Sequence, residues 1–134
     1  MRAVLAAAVL ATLAVASTTS ASASTGTSLR ITYWEDSAAP MESVTWTLRC
    51  GPAAGSLPRP TRACRRLAQG GLELFAPTPK NVACTEIYGG PQRARVVGTV
   101  KGKRIWATFT RSNGCEISRW QRISPWLVPP GGVT

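Results

Sequence analysis

Four cysteines and six carboxylates carry the chemistry available to this chain, and histidine is absent. Without an imidazole, the Ser-His-Asp and Cys-His nucleophile engines are excluded, as are zinc sites that use histidine. The carboxylates are Glu35, Asp36, Glu42, Glu73, Glu86 and Glu116. A glycosidase needs two of them facing each other across a sugar bond, and no spacing here singles out a pair. Cys50, Cys64, Cys84 and Cys115 lack the CxxC spacing of a metal site, so no metal and no cofactor is expected. An even cysteine count suits two disulfides, and four cysteines allow three pairings. Sequential pairing closes loops of about 15 and about 32 residues, worth roughly 3 to 4 kcal/mol each. That is a large share of the about 5–15 kcal/mol that holds a domain together. These residues point to a crosslinked binding protein and not to an enzyme.

Disulfides require an oxidising compartment, and the N-terminus supplies the route to one. Met1-Arg2 is followed by an apolar run from Ala3 to Ala16 and by the small residues Ala21-Ser22-Ala23. Charge, apolar stretch and small residues in that order read as a secretory signal peptide over residues 1–23, with Ala16 the alternative cleavage point. About 14 apolar residues fall short of the roughly 20 that span a bilayer. The expected product is a secreted single domain over residues 24–134, ordered from about 29 to 128. With the signal removed, it has no membrane attachment.

The elements that must position the cysteines read as strands and short helices. Leu29 to Trp34 alternates apolar and polar residues, as a half-buried strand does. Val44, Trp46, Leu48 and Cys50 form the core face of a second strand. Thr61 caps a short helix with Ala63, Cys64, Leu67 and Ala68 inward, and Gly70-Gly71 ends it. Residues 95–100 and 104–110 form a hairpin around Lys101-Gly102-Lys103, and a helical turn follows Cys115. Trp126-Leu127-Val128 is flanked by Pro125 and Pro129, so any strand there sits on a sheet edge. The 44% hydrophobic content supports one core, and the pattern predicts an antiparallel α+β domain.

The segment from Cys50 to Leu67 resembles the signature of the Streptomyces subtilisin inhibitor family. Cys50, Pro52, Gly55, Pro58, Ala63, Cys64 and Leu67 stand in register with it, while Leu57 replaces a histidine and Arg65 a small or acidic residue. Ser112-Asn113-Gly114-Cys115 also resembles the family's Ser-Asn-x-Cys. The resemblance implies a five-stranded antiparallel sheet with two short helices, disulfides Cys50–Cys64 and Cys84–Cys115, and a homodimer. It further implies inhibition of an extracellular serine protease through a substrate-like reactive bond, Glu86–Ile87. Ala83, Cys84, Thr85 and Tyr88 would form the rest of the reactive loop, with Asn113 as its support.

Glu86 bears directly on the target. A carboxylate in an apolar specificity pocket costs several kcal/mol unless paired or protonated. A glutamyl endopeptidase with a basic pocket therefore suits it better than an ordinary subtilisin. Thr85 stands where proline often stiffens such loops, and Gly89-Gly90-Pro91 is one residue longer than the usual primed side.

The formal net charge of +10 suits an acidic partner. Its cationic groups cluster as Arg59, Arg62, Arg65 and Arg66, and as Arg93, Arg95, Lys101, Lys103 and Arg104. Five tryptophans could stack on single-stranded bases, but Trp46 lies on the expected core face and export argues against a nucleic-acid partner. The competing reading is a basic extracellular protein on the same fold that binds a polyanion or the cell wall and inhibits nothing.

Overall fold

Residues 14–17 and 26–133 are described by the computed structural model. The expected signal peptide lies outside the described residues apart from 14–17, which form no helix or strand. Four strands build one antiparallel sheet: β1 (Thr27–Trp34), β2 (Ser43–Cys50), β3 (Arg93–Val100) and β4 (Lys103–Phe109), in the order β2-β1-β3-β4. Helix α1 (Pro60–Gly70) runs into a 3₁₀ turn (Gly71–Phe75), and α2 (Gly114–Ile123) follows the sheet.

Period-two alternation sets the inner face. Leu29, Ile31 and Tyr33 of β1 are buried while Arg30 is exposed, and the register carries Val96 opposite Ile31 and Ala94 opposite Tyr33. Phe109 and Ala107 of β4 continue that apolar face. Ala63 and Leu67 of α1, Phe75 of the 3₁₀ turn, and Trp120 and Ile123 of α2 cover it from one side. β2 is an edge strand, so Leu48 is fully buried but Val44, at its beginning, is half exposed.

Three expectations change. The sheet has four strands and not five, because Trp126-Leu127-Val128 forms a turn. The N–H groups of Leu127 and Val128 both donate to the Ile123 carbonyl, which folds the segment back under α2. Its three side chains then bury in the core, where an edge strand would have left alternate ones in water. Pro125 and Pro129 have no N–H to offer a ladder, which favours the turn. At the start of α1, Arg59 and not Thr61 occupies the cap position, and no side chain caps the helix. Pro60 at the first helical position removes one of the N–H groups that a cap would serve. Ala68 faces solvent instead of the core. The helix ends as expected, with Gly71 at φ +57°, a conformation glycine adopts without steric cost.

Candidate functional site

Between the 3₁₀ turn and β3 the chain runs without helix or strand, and Glu86, Ile87 and Tyr88 project from it. Ile87 is 61% and Tyr88 58% exposed, unusual values for such large apolar side chains. Glu86 is exposed too, and it takes part in no ion pair among the described residues.

Both flanks of this tripeptide are tied down. On the N-terminal side, Cys84 is bonded to Cys115, with Cα atoms 5.3 Å apart. The next carbonyl, that of Thr85, accepts a hydrogen bond from the Gly114 N–H at 2.9 Å. On the C-terminal side, the Gly89 N–H donates to the Arg111 carbonyl at 2.7 Å, and Arg111 Nε donates back to the Gly89 carbonyl at 2.9 Å. The three residues between these anchors are free to present backbone and side chains outward.

Two glycines let the supports come this close. A Cβ on Gly114 would stand 2.0 Å from Thr85 Oγ1, and one on Gly89 would meet Ile117 Cγ1 at 2.7 Å. A side chain at either position would force the facing Thr85 or Ile117 side chain, or the backbone that carries it, to shift.

The supports rest in turn on a stiff base. The Asn113 side chain caps α2 by accepting from the Glu116 N–H at 3.0 Å. Asn113 therefore supports the loop through the helix terminus that carries Gly114 and Cys115. Arg119, buried in α2, donates to Glu116 at 2.8 Å, to the Ala76 carbonyl at 2.9 Å and to the Thr108 carbonyl at 3.1 Å. Its guanidinium lies 4.6 Å from the Phe109 ring. Thr78 donates to the other Glu116 oxygen at 3.0 Å, tying the approach to the loop onto the same helix. Beyond the loop, buried Gln92 donates to the Gly132 carbonyl at 2.9 Å and to Glu35 at 3.2 Å. The second disulfide, Cys50–Cys64, fastens β2 to α1, away from this loop.

Three of the six carboxylates are held by partners within the chain. Glu116 is committed to Arg119 and Thr78, Glu35 to Tyr33 and Gln92, and Asp36 accepts from the Ala38 N–H in the β1–β2 connection. Burial, then the hydrogen bond and charge of Glu35, hold the Tyr33 phenol well above the usual tyrosine range. Among the described residues, no group of three acidic or cysteine side chains could hold a metal. No helix among them is long and apolar enough to cross a membrane.

The resemblance groups Ala83, Cys84, Thr85, Glu86, Ile87, Tyr88 and Asn113, and the Cys84–Cys115 bond joins the segment 83–88 to the start of α2, which Asn113 caps. Sequence reasoning missed Arg111, Gly114 and Gln92. Arg111 is one of many arginines, and nothing in its sequence neighbours marks it as the group that holds Gly89.

Comparison with known proteins adds an independent observation. The family described as subtilisin inhibitor-like matches residues 12–113. Subtilisin inhibitor-like protein 1 of Streptomyces cacaoi is 37% identical over 78 residues, spanning 54% of this chain and 69% of that protein.

Proposed function

Because the chain belongs to the subtilisin inhibitor-like family, we propose that it inhibits an extracellular serine protease with Glu86–Ile87 as the reactive bond. The observation that carries this reading is the exposed Glu86-Ile87-Tyr88 tripeptide held between two anchors. A protease binds an extended segment by pairing with its backbone, and alternate side chains enter pockets. A segment already held in shape loses little entropy on docking, so more of the contact energy remains as affinity. If the bond is cut, the disulfide on one side and the Arg111 clamp on the other keep the new ends adjacent. Effective molarities for such tethered groups reach about 10⁵ M or more, so religation competes with hydrolysis. The inhibitor needs no catalytic group of its own.

Glu86 directs the inhibitor toward a protease with a basic specificity pocket, such as a glutamyl endopeptidase, in preference to an ordinary subtilisin. The rest of the reading is a signal peptide over residues 1–23, export, a mature domain from residue 24 and a homodimer. Titration against both protease types tests the central claim. Stoichiometric inhibition of the glutamyl endopeptidase, lost in Glu86→Pro, is expected, with slow cleavage yielding a new N-terminus at Ile87. Glu86→Met should shift inhibition toward subtilisin. A new terminus elsewhere, or inhibition indifferent to both substitutions, would place the reactive bond at another site.

A further inference from the structure

Arg111 holds Gly89, the first residue past the exposed tripeptide, and the residues after it are held by a different part of the chain. Gly90 and Gln92 are buried although no helix or strand contains them, and Gln92 is only 2% exposed. A buried amide needs partners for both its oxygen and its nitrogen. Gln92 finds them on Gly132, 40 positions further along. Its Nε2 donates to the Gly132 carbonyl at 2.9 Å, and its Oε1 accepts from the Gly132 N–H at 3.2 Å. The side chain thus pairs with the backbone of the segment after α2 as a neighbouring strand would. Nε2 also donates to Glu35 at 3.2 Å, and the Ser37 N–H donates to the Pro91 carbonyl at 3.0 Å.

The segment Pro129–Val133 reaches this place from the core. Fully buried Trp120 donates its Nε1–H to the Pro129 carbonyl at 2.9 Å. Gly131 and Gly132 then fill the gap between the two supports of the loop. A Cβ on Gly131 would meet Arg111 Cδ at 2.8 Å and Gln92 Oε1 at 3.1 Å, whereas one on Gly132 would meet nothing within 4 Å. On the loop side, a Cβ on Gly90 would stand 2.2 Å from the Gly132 carbonyl oxygen. The segment therefore lies against Arg111, Gln92 and Gly90 together.

We propose that Pro129–Val133 braces the primed side of Glu86–Ile87, with Gln92 as the positioning residue that couples it to the loop, and that its loss turns the inhibitor into a substrate. This rests on Glu86–Ile87 being the reactive bond. Religation of the opened bond requires the Ile87 amine to stay beside the Glu86 acyl group. The acyl side is crosslinked through Cys84, but no cysteine stands between Ile87 and Gly114. The amine side therefore depends on the hydrogen bonds made by Arg111, Ser37 and Gln92. Pro130, Gly131 and Val133 are exposed, so their removal would release the loop without a cut in the loop itself.

The readout is the net rate at which excess glutamyl endopeptidase opens Glu86–Ile87, followed by mass spectrometry, with the association rate measured beside it. Losing two neutral hydrogen bonds corresponds to roughly tenfold in an equilibrium constant. A chain ended after Pro130, Gln92→Met and Gly131→Ala should each open about tenfold faster than the parent, with association within about twofold. Gly132→Ala keeps the backbone pair and adds a methyl group in open space, so it should match the parent. Combining the shortened chain with Gln92→Met should add nothing, because both remove the same pair. Parent-like opening of the shortened chain overturns the proposal. So do additive effects in the combined variant, or a Gly132→Ala as labile as Gly131→Ala. If the parent is cut elsewhere or inhibits nothing, the reactive-bond reading fails by itself. Hydrogen exchange in the free protein then judges the brace: the Gly89 N–H should exchange about tenfold faster in the shortened chain, and an unchanged rate rejects it.

Discussion

Replacing Arg111 with methionine isolates the clamp on the C-terminal side of the candidate reactive bond. The Gly89 N–H still reaches the residue-111 carbonyl, because that bond is made by backbone alone. What is lost is the Nε–H donated to the Gly89 carbonyl at 2.9 Å. Methionine retains an aliphatic stem to pack near Trp120, whose ring lies 5.8 Å from the guanidinium. Hydrogen bonds from charged groups are worth about 1.5–3 kcal/mol net. Arg111 is half-buried, which argues for the lower end, and about 1.5 kcal/mol corresponds to roughly tenfold in an equilibrium constant. The loss should fall on loop order, since fixing one residue's backbone costs about 1–2 kcal/mol, a quantity of the same size. The expected result is an inhibition constant against a glutamyl endopeptidase about tenfold weaker, with faster net opening of Glu86–Ile87 followed by mass spectrometry. Thermal stability should change little, because the core contacts are untouched. If the constant and the opening rate both stay within about twofold of the parent while the fold is intact, the clamp does not preorganise the loop.

Three other outcomes are expected. Removing the Cys84–Cys115 bond, which spans a sequence separation of 31, should cost roughly 4 kcal/mol by the chain-entropy account, measured by urea denaturation. A cost under about 1 kcal/mol would mean that the remaining contacts already hold the loop. Gly114→Ala sets a Cβ against Thr85 Oγ1 and should loosen the loop, as read by faster cleavage at Glu86. Adding Thr85→Ala should restore the parent rate, and a double variant as labile as Gly114→Ala alone would reject the steric account. The folded protein holds the Tyr33 proton above the pH near 10 at which an unfolded tyrosine gives it up. Stability from this source is therefore full below about pH 10 and declines as pH rises beyond it. Tyr33→Phe should flatten that alkaline decline in denaturation midpoints measured between about pH 8 and 11, and parallel slopes would contradict it.

The strands were legible because their information is local. Leu29-Arg30-Ile31-Thr32-Tyr33 alternates at the period of a pleated sheet, and β1 follows that alternation wherever it pairs. The end of α1 was legible for the same reason, since Gly71 solves a backbone problem that no neighbour in space can change. The 126–128 run was misread because three apolar residues between prolines satisfy a strand pattern and a core plug equally well. Only Ile123, whose carbonyl accepts from both Leu127 and Val128, resolves the choice.

By itself the sequence determined what short-range partners settle: strand alternation, the end of α1 and the cysteine count. Local sterics and hydrophobic periodicity settle those within a few residues. Tertiary structure decided what meets across the chain. It joined Arg111 to Gly89, brought Gly114 against Thr85, and stacked Arg95 between Trp34 and Trp106. These contacts follow from how the strands line up and where α2 lands, and no spacing along the chain encodes them because the partners lie far apart in it.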